Sequence, residues 1–365
     1  MPKHILFCVY HDLNSEERSK ELLKILNQLG NVDIISRTKQ LPIRNYNIRP
    51  SYSGEYIDFI KSSIKKIINS KYDICVVHDN YGSLLVPFIK IFQGNTKIIY
   101  DSSELYPIYE LKTKAIPLVI KLKSYLLAVC EKLFIKKADL VIAANAERAS
   151  FMKRYYKITK EIIIYDNIHF IDDKYDPIIC EKKYSELFAK DKFVILNAGG
   201  ISNDRYIFEL ADAVREIGDD YLLLVVGGGV EREINRFKEK YEGNDNVRYL
   251  GFIPRIELKY LIQKSNLCFT GFKPISINNI YCASGKTYES LMEGTPILCS
   301  DNPPLATLCN DFGVGIADND FSSAIMKIRS DYDFYKKNAV SFKDKIDYWG
   351  RYNQLIHEVK DALKI

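Results

Sequence analysis

An α/β fold of two Rossmann-like domains is the architecture this sequence predicts, and three observations carry it. Short apolar runs of strand length alternate with amphipathic helical segments, the pattern of βαβ units around a buried parallel sheet. The alternation begins afresh near residue 191, after a charged, turn-rich stretch. The length, 365 residues, exceeds one ordinary core and suits two. The domains are expected to face each other, with a ligand cleft at the carboxyl ends of their strands.

In the first half, "HILFCVY" reads as a strand and precedes the helical "SEERSKELLKILNQLG", whose Leu22, Leu23, Ile25, Leu26 and Leu29 form one stripe. "DICVV" ends at His78 and Asp79, and "KIIY" ends at Asp101 through Glu104. "DLVIAA" follows a long helical stretch at 116–141, and "EIIIYDN" comes next. In the second half, "KFVILNAGG", "YLLLVVGGG" and "NVRYLGF" each lead into a helix, before "NLCFTGF" and "TPILCS". These readings place a first domain at 1–170, a linker at 171–190 and a second domain at 191–340.

Composition narrows the class. At 47% hydrophobic and 27% charged, the chain is that of a globular protein, not a disordered one. Eight cysteines stand far apart, mostly inside apolar runs and without a C-x-x-C, so they read as reduced core residues of a cytoplasmic protein. The first apolar run is too short for a secretory signal, and no stretch has the roughly 20 apolar residues of a membrane span. Residues 1–170 hold 26 Lys and Arg against 17 Asp and Glu, a balance of +9, while the remainder stands at −4. A basic first half suits an anionic surface. In the 116–141 segment, Lys121, Lys132 and Lys136 fall within about 60° on a helical wheel. That stripe could lie on an anionic membrane, or the lysines could simply face water.

The chemistry concentrates in three places. In "ASGKTYESLMEGTPILCS" (283–300), Ser284 can cap a helix, Gly285 admits a ligand to the backbone, and Lys286 adds charge to an anion-binding helix start. Glu289, one turn on, suits the hydroxyls of a ribose; an exposed ion pair with Lys286 is the alternative that this stretch leaves open. In "NAGGISNDR" (197–205), Gly199 and Gly200 follow a strand, and Arg205 could clamp a diphosphate. "VVGGG" (225–229) is ambiguous; it is not G-x-G-x-x-G, which disfavours a nicotinamide enzyme. In the first half, His11-Asp12, His78-Asp79 and Asp101 to Glu104 all lie just past strand ends and so share one rim of the sheet. Neither H-E-x-x-H nor G-x-S-x-G occurs.

"YDICVVHDN", "IIYDSSELYP", "KKADLVIAANAER" and "IIIYDN" resemble the amino-terminal domain of glycosyltransferase family 4 enzymes. "ILNAGGISNDR", "LLLVVGGG", "NVRYLGFIP" and "SGKTYESLMEGTPILCS" resemble their nucleotide-sugar domain. The resemblance runs from about residue 3 to 318, and "YNQLIHEVKDALKI" looks like the family's last helix, so 341–365 is expected to cross back to the first domain. It implies a GT-B fold and retaining transfer from a nucleoside-diphosphate sugar, a UDP-sugar ahead of a GDP-sugar, without metal or other cofactor. Glu289 resembles the ribose-binding glutamate, Arg205 and Lys286 the cations on the diphosphate, and Gly200, Ser284 and Gly285 the backbone near the phosphates. The 252–254 loop, with Ile253 at its centre, resembles the one that meets the base.

The chain departs from the family pattern at Tyr281, where an acid would stand eight residues before Glu289, and at Ser103, in place of a histidine in D-x-H-E. His11, Asp12, His78, Asp101, Ser103, Glu104 and Tyr281 are the cleft or acceptor-side candidates. A glycan or lipid-linked acceptor in cell-surface polysaccharide synthesis is implied, at the cytoplasmic face of a membrane, with no nucleic-acid partner. The alternatives are a catalytically silent sugar-nucleotide-binding protein of the same fold and a nucleotide-sugar epimerase.

Overall fold

Two parallel sheets form, each by the same rule. The structure is a computed structural model that describes residues 2–14, 16–39, 48–52 (backbone only), 54–110, 117–168 and 174–364. The chain divides into a first unit, Met1–Asn167 with Trp349–Ile365, and a second unit, Ile168–Tyr348.

In the first unit, β1 (Lys3–Cys8), β2 (Gly30–Ser36), β3 (Ile48–Tyr52), β4 (Ile74–His78), β5 (Lys97–Ser102), β6 (Leu140–Ala143) and β7 (Ile162–Ile164) lie in the order β3-β2-β1-β4-β5-β6-β7. In the second, β8 (Phe193–Ala198), β9 (Tyr221–Val226), β10 (Val247–Gly251), β11 (Leu267–Thr270), β12 (Ile297–Cys299) and β13 (Gly315–Ala317) lie in the order β10-β9-β8-β11-β12-β13. Every pairing is parallel; Ile5 of β1, for example, sits between Val32 and Ile74. Strands such as "ICVVH" and "YLLLVV" are buried along their whole length, which explains why they read as unbroken apolar runs. The strand order reverses between β1 and β4 and again between β8 and β11. A crevice opens at such a switch point, because the loops on its two sides depart in opposite directions.

Three strands escape a sequence reading. The Glu17–Leu29 helix passes into β2 with no turn signal, because Gly30 serves as both C-cap and first strand residue. Its lack of a side chain is a packing need: a Cβ there would lie 1.9 Å from the Lys3 carbonyl oxygen. β3, "IRPSY", holds an arginine, a proline and a serine and so lacks an apolar run, and β13 has only three residues.

Part of the expected linker is folded. The Pro177–Tyr184 helix is capped by the Asp176 carboxylate, which accepts from the N–H groups of Ile178 and Ile179. Its Cys180 and Tyr184 are buried with Val194, Leu196 and Tyr260 of the second unit. Residues 171–173 of that expected linker lie outside the described residues. At the other end, the Tyr332–Lys345 helix buries Ala339 and Phe342 in the second unit, so the return to the first unit begins at Trp349 rather than 341. Tyr352, Leu355, Val359 and Leu363 then recur at helical spacing and pack with Leu22, Leu26 and Ile163. All eight cysteines are buried. Among the described residues, no helix is long and apolar enough to cross a membrane.

If the last helix is part of the first unit's core, Leu355→Ala should cost about 2–5 kcal/mol, the range for truncating a buried leucine. Urea unfolding of the full chain measures it. A loss below about 0.5 kcal/mol, as for a surface position, would mean that the helix is not built into that core.

Candidate functional site

In the second unit, β8 runs out into Gly199-Gly200-Ile201, and β9 into Gly227-Gly228-Gly229. The two loops lie backbone to backbone. The Gly199 N–H donates to the Val226 carbonyl and the Ile201 N–H to that of Gly228, each at 2.8 Å. A Cβ on Gly227, whose φ is +132°, would come within 2.0 Å of the Gly199 oxygen, and one on Gly229 within 2.3 Å of the Ile201 oxygen. The ambiguous triple glycine is thus explained by packing. A Cβ on Gly199 would meet the Lys286 Nζ at 2.9 Å, so the lysine head lies directly over this loop. At Gly200 a Cβ would make only ordinary contact, 3.8 Å from the Gly228 oxygen.

Lys286 belongs to the Gly285–Met292 helix, which starts at Ser284. Ser284 occupies the N-cap position, but its side chain makes no cap hydrogen bond, contrary to its expected role. The hydroxyl therefore does not occupy the free N–H groups of the first turn. Lys286 as a residue is exposed, yet desolvation around its ammonium pulls its pKa down, and the nearby Arg205 charge adds to the shift; Glu289 opposes both. Arg205 sits in the turn before the Ile207–Glu216 helix, its guanidinium 4.3 Å from the Phe272 ring centroid and its Nε 3.8 Å from Asp204. Two cations thus converge where β8 and β11 end, at the switch point.

Glu289 is not the exposed partner of Lys286 that the helix spacing alone allows. It is only 7% exposed, and its Oε1 accepts from Arg255 Nη2 at 2.7 Å. Arg255 opens the Arg255–Lys264 helix, just after the 252–254 loop. In that loop Ile253 is buried among Val194, Leu222 and Leu261, so its side chain belongs to the core and only its backbone can meet a ligand. The side chain that projects is Phe252, 84% exposed. Tyr281 is half-buried behind the Ile277–Ile280 turn, and its N–H donates to the Ile277 carbonyl. Two buried polar atoms, Asn197 Nδ2 at the end of β8 and Thr287 Oγ1, have no hydrogen-bond partner.

The first unit gathers a second cluster at its own switch point, where β1, β4 and β5 end. Asp101 is gripped by the buried Arg18, whose Nη2 donates at 2.6 Å and Nε at 3.2 Å; Arg18 Nη1 donates to the Tyr165 carbonyl at 2.6 Å. The other Asp101 oxygen lies 2.8 Å from His78 Nδ1. Asp79 stands 3.4 Å from His78 Nε2 and 3.6 Å from His11 Nε2. Its φ of +51° is left-handed, a strained state for a side-chain-bearing residue. Three donors hold it there: the Ser103 N–H at 2.7 Å, the Ser103 hydroxyl at 2.8 Å and the Glu104 N–H at 3.1 Å. Arg148 in turn donates to the Ser103 carbonyl.

Burial alone would push the His78 pKa down, but Asp79 and Asp101 outweigh it and hold it up at about 9. Asp79 is also penalised by burial, yet His78 and His11 hold its carboxyl well below the usual range. One ligand atom each from His11, His78 and Asp79 lies within 4.8 Å of the others, close enough to surround an ion. The contacts above already join these groups to one another.

The sequence candidates therefore sort clearly. His11, His78, Asp101 and Ser103 converge, and Glu104 joins through its backbone. Asp12 stays outside the cluster, exposed and accepting from the Asn14 N–H at 3.0 Å. Lys286, which follows Ser284 and Gly285 at its helix start, lies over the Gly199-Gly200 loop, and Arg205 acts on its charge. Sequence reasoning misses Arg18, Arg148 and Arg255. Arg18 leaves one clue: it stands in the 18, 22, 25, 29 stripe where the other members are apolar and buried. Arg255 opens a helix, where an acid is the electrostatically favoured residue.

Residues 180–339, within the second unit, match the sequence model of the family described as glycosyl transferases group 1. No curated protein sequence matches the chain. Among solved structures, sucrose-phosphate synthase from Thermosynechococcus elongatus is 16% identical, with full coverage of both chains and a TM-score of 0.73. HepE from Anabaena, solved in complex with UDP-glucose, is 15% identical over 99% of this chain and 100% of that one, with a TM-score of 0.71. WaaG, a glycosyltransferase involved in lipopolysaccharide biosynthesis, is 13% identical over 96% of this chain and 98% of that one, with a TM-score of 0.68. At such identities the likeness shows the fold, the GT-B type built from two Rossmann-like units.

The first unit's buried ionisable groups make a pH prediction. His78 moves from 6.5 to about 9 on folding, so its contribution to stability is complete below pH 6.5 and lost as pH rises through 9. Glu131, held by the Tyr100 and Tyr156 hydroxyls at 2.5 and 2.6 Å, is raised by burial from 4.5 to about 8 and acts with the same sign over that lower range. Asp79 is depressed below 3.8, so its contribution disappears only on acidification. Urea unfolding should show stability falling between pH 4.5 and 9. Glu131→Gln should flatten the lower part of that fall and His78→Gln the upper part; identical profiles for all three proteins would refute both assignments.

Proposed function

We propose that this protein is a retaining glycosyltransferase that moves a sugar from a nucleoside-diphosphate sugar to a glycan or lipid-linked acceptor in cell-surface polysaccharide synthesis, on the cytoplasmic side. The observation that carries the proposal is the convergence of two cations, Lys286 over the Gly199-Gly200 loop and Arg205 close enough to act on its charge. Two like charges brought together and partly desolvated repel each other, and a bound dianion turns that cost into attraction. The diphosphate would lie against the backbone at Gly200, where the protein itself leaves room for a side chain and a close ligand gives glycine its reason. N–H groups from the start of the Gly285–Met292 helix would add donors. Glu289, oriented by Arg255, would accept from the two ribose hydroxyls.

As the glycosidic bond breaks, negative charge grows on the leaving diphosphate. Arg205, Lys286 and the helix N–H groups would stabilise it in place, without reorganising water. The acceptor hydroxyl would attack the same face of the sugar, so no protein nucleophile is assigned. His78, Asp101, Ser103 and Glu104 are the acceptor-side candidates on the first unit. UDP is preferred over GDP because a relative of the same fold is solved with UDP-glucose. The two cations would take the role that a metal plays in other transferases.

A second reading, a silent sugar-nucleotide binder, is favoured by one observation: Ser103, where the family pattern has a histidine, spends its hydroxyl on Asp79. Slow release of free sugar and nucleoside diphosphate from a donor by the isolated chain would exclude it, as would transfer to any acceptor. Tight donor binding with no turnover would favour it, and an epimerised sugar formed without acceptor would overturn both readings.

Titration calorimetry with UDP tests the donor site. Each hydrogen bond to the Glu289 carboxylate is worth about 1.5–3 kcal/mol, so Glu289→Ala should weaken binding by about two orders of magnitude. Arg205→Ala and Lys286→Ala should each cost about tenfold or more. A loss below about threefold in a Glu289→Ala protein that melts normally would sink the ribose assignment. EDTA should leave turnover unchanged; a loss restored by a divalent cation would instead point to His11, His78 and Asp79.

A further inference from the structure

The Leu118–Phe134 helix of the first unit has two apolar faces and only one of them is covered. Leu127, Ala128, Cys130 and Glu131 face inward. Leu118, Val119, Ile120, Leu122, Tyr125, Leu126 and Leu133 are all exposed, from 48% to 79%. No other helix among the described residues exposes more than two large apolar side chains. Scattered exposed leucines need no explanation, but a contiguous set does. At about 100° per residue, six of the seven (all but Ile120) fall inside an arc of about 120°. Lys121 and Lys132 border that arc on one side. The helix's only acid, Glu131, is fully buried, so its outer surface carries no negative side chain.

We propose that this helix docks the protein on an anionic lipid bilayer, with the apolar arc inserted at the interface and the lysines on the headgroups. The chemistry of the arc selects a bilayer over a protein partner. Protein interfaces are enriched in aromatic residues and arginine and depleted in lysine. Five of the six side chains in the arc are aliphatic and one is Tyr125, and the charges bordering it are lysines, a composition that suits a helix lying in a membrane plane. The +9 balance of residues 1–170 gives the same unit a wider attraction to anionic lipid. The docking goes beyond the lysine stripe readable in the sequence, because the binding energy would come from aliphatic insertion as well as charge. It does not depend on the transferase reading.

Co-sedimentation of the full chain tests it, using phosphatidylcholine vesicles with and without about a third of phosphatidylglycerol. Wild type should bind the anionic vesicles, and raised salt should weaken that binding only in part. The triple variant Leu118→Ser, Leu122→Ser, Leu126→Ser changes exposed positions and should melt with wild type, yet lose about tenfold or more of its binding. Lys121→Gln with Lys132→Gln should lose the preference for anionic lipid. In a Tyr125→Trp protein, brominated lipid should quench the added fluorescence, which surface attraction alone would not produce. Undiminished binding by the triple serine variant would overturn the proposal. So would an absence of vesicle binding coupled to a dimer that the same variant dissolves, since the face would then be a contact between copies.

Discussion

The candidate donor site depends on a contact that only glycine allows. Gly227 lies so close to Gly199 that any side chain would overlap the neighbouring carbonyl at 2.0 Å. That approach pairs the loops after β8 and β9 backbone to backbone. The Lys286 head then settles where a residue larger than glycine at 199 would stand. The site is thus shaped by missing side chains, and its charge is supplied from a different element, the Gly285–Met292 helix. Because cation and cradle come from separate parts of the sheet, the arrangement holds only while the β8–β11 side of the core keeps its register.

The two units handle buried charge in opposite ways. In the first, Asp79, His78, Asp101 and Arg18 form a chain of alternating sign, each within hydrogen-bond or ion-pair distance of the next. Such a chain closes on itself; removing one member would leave an uncompensated buried charge, a cost of about 3–5 kcal/mol. In the second, Lys286 and Arg205 share a sign, and the Arg205 field adds to the desolvation that depresses the Lys286 pKa. A self-satisfied network gives rigidity and a fixed histidine. Asp204 beside Arg205 and Glu289 near Lys286 offset the repulsion between the two cations, and a bound anion would offset it further. The Arg255–Glu289 pair sits between these extremes, an ion pair that aims a carboxylate without neutralising the cations beside it.

Much of this was legible in the sequence. The long buried strands were, because parallel sheets covered on both faces give unbroken apolar runs. The glycine pair, Arg205 and Lys286 were singled out too, since each sits at a strand or helix end, whereas for Glu289 the sequence left an exposed ion pair open and only the structure shows it buried against Arg255. What could not be read was pairing across distance. Nothing in "ERSKELL" says that Arg18 will reach Asp101, 83 residues away, and nothing in "IPRIEL" says that Arg255 will meet Glu289. Ile253 shows the converse error: a residue inside a recognisable loop turns its side chain to the core, and the exposed position is its neighbour Phe252. The helix at 177–184 was hidden because its few apolar residues are surrounded by charge, and packing supplies what propensity does not.

The Leu118–Phe134 helix carries the same logic to the surface. A helix with seven large apolar side chains exposed gains little from water, and its hold on the unit must come from the inner face. There the structure places a carboxyl group, Glu131, fully buried and bound by two tyrosine hydroxyls, with its pKa raised to about 8 by desolvation. Near neutral pH such a group is largely protonated, so what is buried is a neutral acid with satisfied hydrogen bonds rather than a bare charge. A leucine at 131 would bury more apolar surface but would be free to slide along an apolar groove. A carboxyl gripped by Tyr100 of β5 and Tyr156 of the Ala146–Tyr156 helix fixes the rotation of the helix about its own axis. Rotation is what decides whether the aliphatic arc points outward or is lost against the sheet. A polar anchor on the inside is therefore the physical condition for an apolar face on the outside.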